Sequence, residues 1–225
     1  MTRQMPLFPL GTVLFPGMVV TLSIFEERYR RLVADLLEEP EDADRGFGVV
    51  AIRLGREVGS GTPHRMASVG CVAELQRAQH HDDGRYTLTV SGGSRFRTDE
   101  LFEPDDPDGY LRASVTVLPD AVGDNADALA EVVARRFKRY GERLAAAGIA
   151  AVASVELPSD PLRLSYAVAG ALLVDPGDKQ RLLQAEHAAA RLADEAELLA
   201  GESRLLKSLR TLPAGQFLDT GVSLN

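Results

Sequence analysis

The spacing of apolar residues changes character near residue 119. Before that point, short apolar runs are separated by glycine, proline and aspartate, and several of them alternate with polar residues. In the clearest run, RYTLTV, the side chains of Tyr86, Leu88 and Val90 fall on one side of an extended chain. Closely spaced short strands of this kind predict a compact β-barrel or β-sandwich in residues 1–119.

One amphipathic helix is predicted inside the barrel half, in the stretch EERYRRLVADLLEE. Its apolar positions have the spacing of a single helical face, namely Tyr29, Leu32, Val33, Leu36 and Leu37. Pro40 should end the helix because proline cannot continue the backbone hydrogen bonding. We expect the apolar face to cover one opening of the barrel.

After Pro119 the spacing becomes helical, and alanine, leucine, glutamate and arginine predominate. The predicted helices cover residues 124–147, 159–174, 176–187 and 188–212. Two of them begin at a proline that follows a capping residue, which is Ser159 or Asp160 before Pro161 and Asp175 before Pro176. The fold class is therefore α+β, with the barrel in 1–119, a helical bundle in 120–212 and a loosely docked tail in 213–225.

The opening segment, PLFPLGTVLFPGMVVTLSIF, is apolar where targeting signals commonly lie. Its prolines and the charged residues that follow fit neither a secretory signal peptide nor a membrane span. We expect Pro9 and Pro16 to prevent one continuous strand. The apolar residues would then reach the core from separate turns, and these are Leu7, Leu10, Leu14 and Phe15.

Charge and cysteine content narrow the classes of function. The chain has 25 basic and 33 acidic residues, a formal charge of -8, which argues against nucleic acid and anionic membranes as partners. A single cysteine, Cys71, excludes an intrachain disulfide. Together with the lack of a signal peptide, this predicts a cytoplasmic protein. Cys71 begins a predicted strand, where we expect a small, buried, unreactive thiol.

Motifs for catalysis, cofactors and metals are missing from the sequence. There is no phosphate-binding G-x-x-x-x-G-K-[ST] and no G-x-S-x-G, and the glycine-rich stretch 55–64 is better explained as a loop. Four clustered metal-capable residues lie at the hairpin turn predicted by Asp83-Gly84, without partners at ligand spacing: His80, His81, Asp82 and Asp83. We expect a solvated turn, no cofactor, no metal and no catalytic residue.

One basic stripe offers an alternative. Arg135, Arg139 and Arg143 share a helix face and could contact RNA or an acidic partner. Glu131 and Glu142 flank the stripe, so that a solvated helix face is the favoured interpretation.

The opening stretch also carries a resemblance to a known family. PLFPL, V-L-F-P-G-M and F-E-x-R-Y-R-x-L occur at Pro6–Leu10, Val13–Met18 and Phe25–Leu32. Together they resemble the start of the Lon protease N-terminal domain, also called the Lon substrate-binding domain. Further segments follow in the family's order, among them VGCVAEL, DGRYTLTVSGGSRFR and YLRASVTVLPD, with a weaker likeness in DPGDKQRLLQ and Arg191-Leu192.

The resemblance implies a PUA-like pseudo-barrel followed by a helical bundle, and a role in polypeptide recognition. In full-length Lon this region is followed by an ATPase module and a Ser-Lys protease domain, and this sequence ends before them. The resemblance thus implies a stand-alone, non-enzymatic member of the family, related to peptidase S16 and to protein quality control.

The first hypothesis for function is a module that binds unfolded or exposed apolar polypeptide, as an adaptor or chaperone-like accessory, with a protease or chaperone as a further partner. Phe8, Phe15 and Met18 near the proline turns are the candidate binding residues, if they are partly exposed instead of packed in the core. The alternatives are an RNA-binding PUA-like protein and an enzyme that acts on a small molecule at the junction of barrel and bundle. Nothing in the sequence indicates the oligomeric state.

Overall fold

The computed structural model describes residues 2–40, 45–52, 66–106, 109–149, 152 and 155–210. The predictions for the glycine-rich stretch 55–64 and for the tail 213–225 lie outside these residues. All the strands lie before residue 119, as the spacing predicted. They are β1 (Thr2–Leu10), β2 (Val19–Ile24), β3 (Gly46–Ala51), β4 (Val69–His80), β5 (Tyr86–Phe102) and β6 (Arg112–Val117).

The strands form one mixed sheet in the order β2-β5-β4-β3-β1-β6, and β6 also pairs with β5. This additional pairing closes five of the strands into a barrel and leaves β2 beside it. β1 and β3 are parallel, whereas the other pairs are antiparallel. The long β5 pairs with β2 through its first half and with β6 through its second half.

Pro6 and Pro9 both lie inside β1, so the expectation that Pro9 interrupts the strand is wrong. Residues 2–6 of β1 pair with β6, and residues 7–10 pair with β3. Because each half of the strand pairs on one side, a missing N–H is tolerated there. Pro16 instead lies in the turn before β2, where it separates the two strands as expected.

The predicted hairpin connects β4 to β5. Gly84 has a φ of 80°, and its N–H donates to the carbonyl of His81, whose own N–H donates to that of Arg85. A positive φ suits glycine, which explains the Asp-Gly pair. Asp83 accepts hydrogen bonds from Arg85, and these lower the pKa of its exposed carboxyl to about 2.

Five helices complete the fold of the described residues. They are α1 (Glu27–Glu38), α2 (Ala126–Ala146), α3 (Pro161–Ala171), α4 (Pro176–Gln184) and α5 (Ala188–Arg210). The predicted bounds of the four bundle helices agree to within a few residues at each end. In the described part of the chain, none of the helices has both the length and the apolar content needed to cross a membrane.

The two Asp-Pro starts behave differently. The Asp160 carboxylate accepts a hydrogen bond of 2.8 Å from the N–H of Arg163 and so caps α3. Asp175 makes no side-chain cap to α4. At α5 the cap is a histidine, because Nδ1 of His187 accepts from the N–H of Ala190 at 3.0 Å.

The buried apolar residues form three clusters. One lies under α1 inside the barrel, with Tyr29, Leu32, Val33 and Leu36 against strand residues, so that α1 covers the barrel as predicted. A second lies between β1, β5 and β6 and also includes Val50 of β3 and Val72 of β4. The largest fills the bundle and continues into the barrel, where it includes Val13 and Phe15. The barrel and the bundle thus share a core.

Candidate functional site

A cleft of about 480 Å³ lies at the junction of the barrel and the bundle. One wall is the proline turn Pro16–Met18, and the facing wall is α3, with Val155 and Pro158 from the segment before it. Most of this lining is apolar. The cleft is partly open to solvent, and its size is within the range of sites that hold small molecules or a few side chains.

The proline turn is fixed against β5. Gly17 has a φ of 78°, and its N–H donates to the carbonyl of Gly92 at 2.7 Å, while the N–H of Gly92 donates to that of Met18 at 2.8 Å. A Cβ at residue 92 would lie 2.0 Å from the carbonyl oxygen of Phe15, so only glycine allows this approach. The turn therefore presents Met18 to the cleft from a defined position.

The opposite wall is one face of α3, at the spacing i, i+1, i+4, i+5, i+8 and i+9. Its members are Leu162, Arg163, Tyr166, Ala167, Gly170 and Ala171. The small residues at its C-terminal end leave room, and a Cβ at Gly170 would be 3.7 Å from Sδ of Met18. The other face of α3 is buried in the bundle. The width of the cleft is thus set by small side chains on α3.

A polar network lies at the floor of the cleft. The hydroxyl of Tyr166 donates to Oδ1 of Asp120 at 2.5 Å, and Nε of Arg95 donates to the same oxygen at 3.3 Å. Arg95 is 2% exposed, whereas the Asp120 side chain is 35% exposed. Burial is the main reason why the pKa of Tyr166 is raised, so the hydroxyl stays protonated and acts as a donor.

Arg95 connects the two halves of the molecule. From β5 its Nη1 donates to the carbonyls of Leu183 (3.0 Å) and Ala185 (2.6 Å) at the end of α4, and its Nη2 donates to that of Pro119 (3.0 Å). The bonds to Leu183 and Ala185 satisfy carbonyls that a helix end leaves without an intrahelical partner. A guanidinium is suited to this role because its five donors diverge in one plane.

A second buried arginine lies behind Tyr166. The guanidinium of Arg191 stacks on the Tyr166 ring at 3.9 Å from its centre. Its Nε donates to the carbonyl of Leu182 (2.8 Å) and its Nη1 to Oγ of Ser165 (2.9 Å). Burial lowers the pKa of Arg191 from its ordinary value, but the group remains a cation at neutral pH. The stack holds the ring, and therefore the hydroxyl, in position.

Glu195 lies one helical turn beyond Arg191 and is fully buried. Neither of its carboxyl oxygens has a hydrogen-bond partner among the described residues. Burial raises the pKa of this carboxyl well above its usual range, although the positive charge of Arg191 opposes that shift. The neutral acid is the form that the interior favours.

Cationic groups surround the cleft at several depths. Arg163 is exposed on its lining, and no ion pair of its guanidinium is found in the described part of the chain. Lys179 on α4 donates to the carbonyl of Gly170 at 2.6 Å and lies 6.0 Å from the Phe15 ring. Burial lowers the pKa of Lys179. These groups surround an apolar cleft that has one acidic residue, Asp120, in its lining.

The three candidate binding residues have different surroundings. Phe8 is 7% exposed, with its ring 4.2 Å from that of Tyr29, and Phe15 is fully buried. Neither ring is partly exposed, so neither meets the condition set for a binding residue. Phe15 reaches the core from the proline turn, as expected, and Phe8 packs in the core from β1. Met18 is half-buried and lines the cleft, and its role in binding stays a prediction.

Asp120, Tyr166 and Arg163 were not identified from the sequence as site residues. The sequence around each of them has no motif that indicates a site. The cleft forms only where α3 packs beside the proline turn. One local signal exists, because Ala167, Gly170 and Ala171 place small side chains along one helix face. Small residues on such a face are typical of a close approach or of a groove.

The other sequence candidates do not converge on this site. Cys71 is fully buried, and burial raises the pKa of its thiol, in agreement with an inert core cysteine. Nε2 of His81 is 2.8 Å from Oγ1 of Thr87 at the hairpin. In the basic stripe, Arg135 pairs with Glu131 at 3.5 Å, and Nη1 of Arg143 donates to the carbonyl of Ser203.

Similarity to known proteins extends over most of the chain. It is 27% identical to a Lon protease of Heliobacterium modesticaldum over 93% of its length, and 28% identical to Lon protease 2 of Myxococcus xanthus over 91%. The chain spans about a quarter of the length of these relatives, 25% and 24% respectively.

Two solved structures have the same fold. A Lon N-terminal domain protein from Xanthomonas campestris matches 88% of this chain and 98% of its own, with a TM-score of 0.59 and 25% identity. The N-terminal domain of a Mycobacterium avium complex Lon protease matches the same shares with a TM-score of 0.63 and 20% identity. The family model for the ATP-dependent protease La (LON) substrate-binding domain matches residues 4–201. The chain therefore belongs to the family of the Lon substrate-binding domain.

Proposed function

We propose that the chain is a non-catalytic polypeptide-binding module, whose cleft between the proline turn Pro16–Met18 and α3 accepts apolar side chains of unfolded or exposed segments. The observation that carries the proposal is the position of this cleft, at the junction of barrel and bundle, with Met18 in its wall. Family membership supports the same class of function. An adaptor or chaperone-like role in protein quality control, and a PUA-like description of the barrel, belong to the same proposal.

The chemistry of the lining suits this role. Methionine is unbranched and polarisable, so Met18 can adapt to side chains of different shape. Apolar area removed from water contributes roughly 25 cal/mol per Å², and this attraction does not depend on a particular sequence. The network of Arg95, Asp120 and Tyr166 keeps the floor fixed, which limits the entropy lost on binding.

The test is to fill the cleft. Gly170→Leu places a branched side chain beside Met18, and we expect it to weaken binding of a fluorescently labelled, carboxymethylated model polypeptide at least tenfold. Gly177→Leu is the matched control, because Gly177 is also in a helix and a Cβ there meets nothing within 4 Å. Anisotropy titrations measure the two Kd values. Equal affinity for the two variants would contradict the site, and no binding by the wild type would contradict the function.

The RNA alternative has no observation in its favour. The contacts of Arg135 and Arg143 within the molecule engage two of the three stripe residues. The alternative of a small-molecule enzyme is not proposed either, since Tyr166 is held protonated and Asp120 serves as its acceptor.

A further inference from the structure

Among the residues that the structure describes, β2 has one open edge. In the sheet order, β2 has one neighbour, β5, whereas the other strands of the described sheet each have at least two. Along the second side of β2, no backbone or side-chain hydrogen bond to another described residue occurs outside the β2–β5 ladder. The exposed side chains of this strand include Val19, at 65% exposure.

The hydrogen-bonding pattern between β2 and β5 shows which backbone groups of β2 point away from β5. The N–H of Gly92 donates to the carbonyl of Met18 across the β2–β5 pair. Since alternate residues of a strand direct their N–H and C=O groups to opposite sides, Val20, Leu22 and Ile24 bond to β5. The corresponding groups of Val19, Thr21 and Ser23 therefore point away from the sheet.

Within β2 itself, and among the described residues around it, this edge lacks the usual protection against strand addition. Natural sheets block exposed edges with charged side chains, prolines, bulges or a covering segment. From Val19 to Phe25 the sequence VVTLSIF contains no charged residue and no proline. Phe25, just beyond the strand, is 66% exposed. The open edge is six residues long and uncharged, so that it has the length and charge to pair with an extended, uncharged polypeptide segment of about 20 Å.

We propose that β2 binds its partner by β-strand addition, with an extended, uncharged segment of another polypeptide bonding to the outward backbone groups of Val19, Thr21 and Ser23. This inference rests on the proposed polypeptide-binding function and names its mode of recognition. Main-chain bonding tolerates many side-chain sequences. The open edge begins at Val19, the residue after Met18 of the cleft wall.

The test uses a labelled ten-residue peptide of alternating valine and threonine with a lysine at each end, and the same peptide N-methylated at every valine and threonine amide. Methylation removes the donors of both edges of the added strand and leaves the side chains unchanged. We expect the methylated peptide to bind the full chain at least tenfold more weakly. Equal affinities would overturn strand addition, whatever the behaviour of any variant.

A variant of the protein tests the edge from the other side. Thr21→Pro removes one outward N–H, and proline is tolerated on an edge strand at such a position. We expect Kd for the unmethylated peptide to rise at least fivefold, with Thr21→Val as the matched control. Circular dichroism checks that both variants fold. If Thr21→Pro does not fold, the comparison of the methylated and unmethylated peptides on the wild type still tests strand addition.

The remaining outcomes separate this inference from the proposed function. If Gly170→Leu weakens binding of the model polypeptide while Thr21→Pro and methylation have no effect, strand addition is wrong and the cleft still binds polypeptide. If neither probe binds the wild type, both proposals fail. If sedimentation shows a wild-type dimer that Thr21→Pro converts to monomers, the edge is occupied by a second copy and the proposed partner is wrong.

Discussion

Two buried ionisable groups beside the cleft, Arg95 and Glu195, differ in what surrounds them. Arg95 distributes its donors over three carbonyls and the carboxylate of Asp120. Glu195 is more deeply buried, with neither oxygen bonded to another described residue. Burial alone is therefore no guide to the contribution of a charged group. A buried group with partners joins the barrel to the bundle, whereas one without them lowers stability unless it is neutral.

Removing Arg95, which is hydrogen-bonded to three carbonyls and Asp120, should have the largest effect on stability. Arg95→Met removes a donor from three carbonyls and from Asp120, which keeps the Tyr166 hydroxyl as a donor, and we expect the free energy of unfolding to fall by about 3–5 kcal/mol. Urea denaturation measures the change. Arg97→Met, two residues along the same strand at an exposed ion pair with Asp99, is the control and should change stability little. Similar losses of stability for Arg95→Met and Arg97→Met would mean that the buried, hydrogen-bonded arginine contributes no more than the exposed one.

Glu195→Gln should instead increase the free energy of unfolding, by an amount that depends on pH. The folded state raises the pKa of Glu195, so it binds a proton that the unfolded chain releases above about pH 4.5. Wild-type stability should therefore fall relative to the variant as pH rises from 4.5 to 8, by up to about 1.4 kcal/mol per pH unit. Thermal unfolding at several pH values measures this difference. Glu197→Gln, at an exposed position on the same helix, should show no such trend.

Tyr166→Phe tests one bond of the satisfied network. The variant loses the hydroxyl that donates to Asp120, and we expect a loss of about 1.5 kcal/mol, measured by urea denaturation. Tyr110→Phe removes a comparable 2.7 Å hydrogen bond to Asp35 at a more exposed place, and its loss should be smaller. If Tyr110 proves the more important residue, then the floor of the cleft adds little to stability.

The smallest expected difference in stability is between variants of two aspartates at helix starts. Asp160→Ala removes the carboxylate that bonds the N–H of Arg163 and should cost about 1 kcal/mol. Asp175→Ala should cost less, because Asp175 makes no side-chain cap. Melting temperatures of the two variants provide the measurement. Equal shifts would mean that charge near the helix start, instead of the hydrogen bond, stabilises α3.

The elements of the fold could be predicted because their patterns are local. The alternation of RYTLTV, the face of α1 and the Asp-Gly turn each depend on residues close in sequence, and the structure confirms all three. Pro9 was misjudged because its tolerance depends on pairing with β3, which is not visible in a local window. Likewise the Asp-Pro pairs looked equivalent, although only Asp160 of the two forms a side-chain cap.

The candidate site could be predicted only in part. Met18 was identified because it is apolar and next to a proline turn. Phe8 and Phe15 have the same local character, but both are buried in the apolar clusters. Asp120 and Tyr166 are 46 residues apart in sequence, so that their hydrogen bond exists only in the tertiary structure. Long-range packing, which one sequence does not reveal, assembles the floor of the cleft.

The first fifteen residues reach all three apolar clusters. Leu7 belongs to the cluster of β1, β5 and β6, Leu14 to the one under α1, and Phe15 to the one that fills the bundle. Loss of this segment from the folded state would expose apolar surface in every cluster at once. The barrel and the bundle should therefore unfold in a single cooperative transition, and neither half should persist as a stable intermediate when the N-terminus detaches.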